Sequence, residues 1–102
     1  MTMGSSIKSE NKLEGVMNFR AWKTRIGLIL AKNDLSGIVK GKVTKPSDNE
    51  GKIKYDHASC ITARSIIVDS IRDHLIPYVA NLDSSKKMHD ALVGLYTINN
   101  IG

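Results

Sequence analysis

The side chains with the chemistry for metal binding or nucleophilic catalysis are one cysteine, Cys60, and three histidines, His57, His74 and His89. A structural zinc site needs four ligands, usually at short paired spacings, and only His57 and Cys60 have half of such a spacing. Cys60 lies in an apolar periodic segment without a catalytic motif, so we expect a small, buried, hydrophobic residue in a reducing compartment. The sequence predicts no metal ligand, no cofactor and no thiol nucleophile.

Paired carboxylates are the next candidates, because general acid–base chemistry often uses two of them. Asp69 and Asp73 are four residues apart and would face each other on a helix. Carboxylate pairs that do chemistry usually come from separate elements of a cleft, and Arg72 beside them favours a charged surface. We therefore predict that the chain is not an enzyme, has no catalytic residue and takes no small-molecule substrate.

Positive charge is concentrated between Lys40 and Lys54, where two glycines and Pro46 predict a loop. The net charge of +5 and the pI near 9.5 favour anionic partners. Gly37, Gly41 and Lys42 do not form a phosphate-binding loop, because the glycine spacing is one residue short and Val43 follows the lysine. A solvated loop and a contact with an RNA backbone both stay open. The candidate nucleic-acid contacts are Lys40, Lys42, Lys45, Lys52 and Lys54.

The strongest helical pattern runs from Leu13 to Val39 and contains the only tryptophan and the only phenylalanine. Asn18 is a good N-cap, and the following apolar residues recur at intervals of three and four. Asn33 and Asp34 close this helix before a short apolar continuation. The alignment of Trp22 with the stripe favours a core anchor over a base-stacking platform. The stripe consists of Phe19, Trp22, Ile26, Ile29 and Leu30.

Two further helical patterns complete the fold prediction. Tyr55 to Asp73 has a broad apolar face, and its length favours a helix despite the β-branched run at 66–68. Pro77 predicts a short helical turn, after which Asp83 or Ser84 caps a last helix ending near Tyr96. The sequence predicts an all-α protein, a compact bundle of four to five short amphipathic helices.

The domain organisation predicted is a flexible polar leader at 1–12, one helical domain at 13–96 and a truncated tail at 97–102 that leads to a missing downstream half. A chain of 102 residues suits one core rather than two. No apolar run approaches the ~20 residues of a membrane-spanning helix, and no secretory h-region is present. We expect a cytoplasmic location and no membrane partner.

Leu13 and Gly15, followed by the Asn18–Phe19 pair and Trp22, form an ordered set that resembles the opening of copia-type LTR retrotransposon Gag polyproteins. Ser36, Tyr55 and His89 depart from the family, which often has tryptophan at those three places. The resemblance implies a capsid N-terminal domain that self-associates through helix faces and forms a shell, a virus-like particle, around element RNA. The residues that carry it include Leu13, Gly15, Asn18, Phe19, Trp22, Ile26, Leu30, Leu35, Leu92, Leu95 and Tyr96.

Three hypotheses follow from these patterns. The leading one is a structural, Gag-like self-assembly domain that forms homo-oligomers. The second is a basic nucleic-acid-binding module that uses the lysines of residues 40–54. The third is a domesticated host adaptor that has kept the fold and lost particle formation.

Overall fold

Five α-helices carry the fold of residues 7–97, the part of the chain that this computed structural model describes. The all-α prediction is confirmed: residues 7–97 contain no strand, and their one β-type pairing is a parallel bridge between Leu13 and Ile71. A π-helical segment, His57–Thr62, joins α3 to α4, and 3-10 turns occur at Ser9–Asn11 and Asp73–Tyr78. The α-helices are α1 Val16–Lys32, α2 Ser36–Val39, α3 Asn49–Asp56, α4 Ala63–Asp69 and α5 Ser85–Thr97.

Helix α1 begins before the position that the sequence predicts. Gly15 is the N-cap, and Asn18 lies in the first turn, so the prediction of Asn18 as the N-cap is wrong by three residues. The Asn18 Oδ1 atom accepts hydrogen bonds from the backbone N–H groups of Glu14, at 3.0 Å, and Gly15, at 3.3 Å. Its Nδ2 atom donates to the Lys12 carbonyl at 2.8 Å. Asn18 therefore acts like the third helical residue of a capping box, bonding backwards to the residues before the helix.

Trp22 lies at the centre of the core, as its place in the apolar stripe predicts. The indole is 0% exposed, and its Nε1–H donates a hydrogen bond to Ser70 Oγ at 3.0 Å. Phe19 packs at the edge of this cluster, between Trp22 and Tyr96. Of the other predicted anchors, Leu13, Ile26, Leu30, Leu35 and Leu92 are buried, and Leu95 and Tyr96 are partly buried.

One continuous helical run, formed by α3, the π segment and α4, occupies residues 49–69. The prediction of a helix from Tyr55 to Asp73 is therefore wrong at both ends. The run begins early because the Asp48 side chain accepts a hydrogen bond from Gly51 N–H at 2.7 Å, which caps a turn made of polar residues. It ends early because the segment after Asp69 pairs with Leu13: the Leu13 N–H donates to the Ser70 carbonyl at 2.8 Å and the Arg72 N–H donates to the Leu13 carbonyl at 3.0 Å.

The last two elements agree with the predicted order. Pro77 lies within the 3-10 turn Asp73–Tyr78, which confirms the short helical turn. Ser84 caps α5, because its Oγ atom accepts a hydrogen bond from Lys87 N–H at 3.1 Å. Met88 and Leu92 of α5 are buried against the other helices.

The ends of the described chain bear on the domain prediction. Within the predicted leader, Ile7 packs against the core and residues 9–11 form a 3-10 turn, whereas residues 1–6 lie outside the described part. Thr97 is the last residue of α5, and residues 98–102 of the predicted tail also lie outside it. Among the helices of residues 7–97, none combines the length and the apolar character needed to cross a membrane.

Candidate association surfaces and cleft

The outer side of α1 carries a row of exposed residues. Met17, Ala21, Thr24 and Leu28 follow one another at intervals of four, three and four, so they share one face of the helix. All four are exposed, and the two large apolar side chains, Met17 and Leu28, are 96% and 67% exposed. We call these four residues the α1 stripe. They form the face opposite the buried residues Trp22, Ile26 and Leu30.

Positive charge surrounds the α1 stripe. Arg20, Lys23, Arg25 and Lys32 all belong to α1 and are all exposed, and the helix contains no Asp or Glu. An exposed helix face that combines apolar and basic residues is typical of a surface that contacts an anionic or an apolar partner.

A second apolar surface lies on residues 49–62, which we call the α3–π arm. Helix α3 buries none of its residues, and the π segment buries only Ser59. Ile53 is 70% exposed and Ile61 is 55% exposed. Ile53 and His57 line a shallow depression together with Leu35. The arm therefore presents large apolar side chains that the core of this chain does not cover.

The five candidate lysines are all exposed and lie on different elements of the fold. Lys52 and Lys54 lie on α3, so the prediction of a loop through Lys54 is wrong; being two residues apart, they point to different sides of the helix. Lys45 Nζ pairs with Asp56 Oδ1 at 3.0 Å. Lys40 lies near enough to His89 of α5 to influence its protonation. The candidate lysines are therefore divided between the segment after α2 and helix α3, and their contact with nucleic acid stays a prediction.

A cleft of about 480 Å³ opens between the loop that follows α2, the α3–π arm and the start of α5. Cys60 lines this cleft and is exposed, so the prediction of a buried cysteine is wrong. A π turn takes up one more residue than an α turn and rotates the helix faces, and Ser59 occupies the buried position instead. Positive and negative side chains meet at the mouth of the cleft, where Lys45, Lys86 and Lys87 face Asp56 and Asp83.

The other titratable candidates are separated from one another. Asp69 ends α4 and Asp73 begins the following 3-10 turn, so the two carboxylates do not face each other on one helix as predicted. His74 Nε2 lies 2.9 Å from the Glu14 carbonyl oxygen. Within residues 7–97, no group of three or more His, Cys, Asp or Glu side chains is arranged to hold a metal ion.

His89 packs against the core tryptophan. Its ring lies 6.3 Å from the Trp22 ring, with an angle of 27° between the planes. Burial lowers the pKa of His89, and the charges of Lys23 and Lys40 lower it further, whereas the charge of Asp90 opposes them. The imidazole of His89 thus stacks on the indole of Trp22, in surroundings that disfavour its protonation.

Two features of these surfaces escaped the sequence interpretation. The α1 stripe has a sequence signal, because Met17 and Leu28 are three helical turns apart, but it is weaker than the periodic signal of the buried face. The partnership of Ser70 with Trp22 spans 48 residues, and no local signal indicates it.

Comparison with known proteins adds no relative to this description: no protein-family model matches the chain, and no curated protein or solved structure matches it significantly.

Proposed function

We propose that this chain is a structural self-assembly domain, of the kind found at the start of the capsid region of a retrotransposon Gag, whose copies associate into a shell around RNA. The observation that carries the proposal is the presence of two separate apolar surfaces, the α1 stripe and the α3–π arm, on one small helical bundle. Exposed apolar side chains that occur singly are ordinary, but rows of them on helix faces are typical of interfaces.

The number of surfaces matters for assembly. A subunit with one self-complementary surface stops at a dimer, whereas a subunit with two different surfaces can extend into rings or shells. Helix α1 packs against α2, α4 and α5, and the arm is held by its continuity with α4. The two surfaces therefore belong to different parts of the bundle, so one copy can contact two neighbours at once.

The charge distribution supports the association with RNA. The chain carries a net charge of +5, and α1 contributes four cations without an acid. Because phosphate contacts from Lys and Arg dominate nonspecific affinity for nucleic acid, a shell that turned α1 inwards would hold RNA without reading its sequence. This same observation favours the second candidate function, a basic nucleic-acid-binding module, with α1 in place of the residue 40–54 loop.

Sedimentation velocity tests the assembly proposal. We expect the wild-type chain to form large species whose fraction rises with protein concentration. Met17→Ser with Leu28→Ser, or Ile53→Ser with Ile61→Ser, should each limit association to small oligomers, and the four changes together should give a monomer. Tyr78→Ser is the matched control, because Tyr78 is 58% exposed and lies on neither surface.

Two results would refute self-assembly. One is a wild-type chain that stays monomeric at the highest attainable concentration, and the other is association that Tyr78→Ser reduces as strongly as the paired changes. Circular dichroism of each variant confirms that the helices are intact.

An RNA-binding assay distinguishes the nucleic-acid-binding module from the self-assembling shell. Binding of a short single-stranded RNA should weaken steeply with salt and fall when Arg20, Lys23 and Arg25 are changed to Gln. A monomer that binds RNA in this way would support the module and not the shell. Binding that is absent, or insensitive to salt, would remove it.

A further inference from the structure

The cleft beside α5 contains a buried hydroxyl group without a partner. Ser85 is 1% exposed, and its Oγ atom has no hydrogen-bond partner among the described residues. Buried polar groups in proteins are almost always hydrogen-bonded, so an unpartnered one calls for an explanation. Ser85 is one of the residues that line the cleft, so a ligand bound there is a candidate partner for this hydroxyl.

The start of a helix lies at the same place. Helix α5 has 13 residues, and Ser84 caps it by binding the Lys87 N–H. The N–H groups of Ser85 and Lys86 belong to the first turn, where helix geometry supplies no intrahelical acceptor. First-turn amides and the positive end of the helix dipole together favour an anion, above all a phosphate group. Ser84 thus accepts the hydrogen bond that caps the helix, and the Ser85 hydroxyl, which has no partner among the described residues, is available to donate to a ligand.

Charged side chains of both signs line the cleft. Lys45, Lys86 and Lys87 line it, against two carboxylates, Asp56 and Asp83. Each carboxylate is paired, Asp56 with Lys45 at 3.0 Å and Asp83 with Lys87 at 3.1 Å. The hydrogen bond and charge of Lys87 lower the pKa of Asp83, and the charge of Arg64 acts in the same direction. Lys86 is paired as well, with Asp90 at 2.8 Å, so the three lysines place cations beside the start of α5 without a net excess of positive charge.

A glycine in the loop after α2, Gly41, lies against the side chain of Lys86. Gly41 has φ +79°, and a Cβ atom there would lie 2.6 Å from Lys86 Cε. The left-handed conformation favours glycine at this position, and the backbone of the loop lies against the flexible stem of Lys86. Lys86 therefore lies between this loop and Asp90, whose Oδ2 atom accepts a hydrogen bond from Lys86 Nζ at 2.8 Å.

We propose that this cleft binds a phosphate group, with the Ser85 hydroxyl, the first-turn amides of Ser85 and Lys86, and the Lys86 ammonium as donors. The shared ligand chemistry is a phosphate group, either as the free ion or in a small phosphomonoester, and the volume of about 480 Å³ favours the phosphomonoester. The proposal is independent of self-assembly, because it uses neither the α1 stripe nor the exposed isoleucines of the arm.

Nuclear magnetic resonance titration of the ¹⁵N-labelled chain tests this site, with inorganic phosphate in one series and a nucleoside 5′-monophosphate in another. Sodium chloride of equal ionic strength is the reference for general charge effects. We expect saturable shifts at the amides of Ser85 and Lys86 that chloride does not produce. Tighter binding of the nucleotide would identify an esterified phosphate as the preferred source, and equal binding would identify the free ion.

Two variants and one control decide the assignment. Ser85→Ala removes the hydroxyl and leaves the Ser84 cap in place, and it should weaken phosphate binding by about tenfold, the usual effect of one charge-assisted hydrogen bond. Lys86→Gln should weaken it by a similar factor. Lys54→Gln, at an exposed lysine that lines the depression on the arm and not this cleft, should leave it unchanged.

The proposal is overturned if phosphate and the nucleotide produce no saturable shifts, or if Ser85→Ala and Lys54→Gln behave alike. It is also overturned if only an RNA oligonucleotide binds and the small phosphates do not, because that result would assign the cleft to a polymer surface. Unfolding curves of Ser85→Ala show that the variant is folded, and loss of an unpartnered buried hydroxyl should not destabilise it.

Discussion

Helix α1 and the α3–π arm are both helical, but they are held in place by different means. Helix α1 buries Trp22, Ile26 and Leu30 and packs against three other helices. The arm buries only Ser59, and it keeps its helical form through the Asp48 cap and its continuity with α4. Helix α1 therefore contributes more to the stability of the bundle than the arm does, and the arm leaves Ile53 and Ile61 free for contacts with other molecules.

The change expected to have the largest effect on stability is Trp22→Ala. Truncating a buried tryptophan removes a large apolar side chain and leaves a cavity, which typically costs about 3–5 kcal/mol of unfolding free energy. Urea denaturation measures the loss. Leu28→Ala on the same helix is the control, and its exposed side chain should change the stability by about 0.5 kcal/mol or less. Similar losses for the two variants would mean that α1 does not anchor the core through its inner face.

Ser70→Ala tests how far the core of α1 depends on one polar partner. The change leaves the buried Nε1–H of Trp22 without its acceptor, so we expect a loss of about 1–3 kcal/mol. The exposed Ser65 of α4 provides the matched control, and Ser65→Ala should be close to neutral. A neutral result for Ser70→Ala would show that the indole N–H has another acceptor.

His89 makes the stability of the α1 region depend on pH. Because its pKa is lowered in the folded state, the unfolded chain binds the proton more tightly, and acidification favours unfolding. The contribution of His89 to the free energy of unfolding should be complete above pH 6.5, about the ordinary pKa of histidine. It should be lost as the pH falls through the lowered pKa of the folded state. Thermal unfolding of the wild type and of His89→Phe, which keeps an aromatic ring against Trp22, measures the effect. As the pH is lowered, the melting temperature of the wild type should fall more than that of the variant. Melting temperatures that fall in parallel would contradict a role for His89 in the pH dependence.

The smallest expected effect concerns the arm. Ile53→Ser and Ile61→Ser should each change the unfolding free energy by about 0.5 kcal/mol or less, because both side chains are mostly exposed. Denaturation at a concentration low enough to prevent association gives the measurement. Ile67→Ser, on the same helical run but fully buried, should cost several-fold more. A large loss at Ile53 would show that the arm also belongs to the core.

The sequence predicted α1 and α5 well because their buried residues recur with the helical period. It missed the start of the arm because Asn49 to Lys54 is polar, and a helix without a buried face has no periodic signal. The errors at Asn18 and Cys60 have local causes, a side chain that bonds backwards in one case and a π turn that rotates the helix faces in the other. The pairing of Leu13 with Ile71 could not be predicted, since it depends on tertiary structure.

That pairing of Leu13 has an optical consequence. The Leu13 N–H binds the Ser70 carbonyl, and the hydroxyl of the same serine binds the indole, so the entry to α1 and the sole tryptophan share one residue. Intrinsic fluorescence is sensitive to the surroundings of that indole. A partner that docked on Met17 and displaced the segment around Leu13 would shift the emission of Trp22 without contacting the indole. Binding on this face can therefore be followed without an added dye.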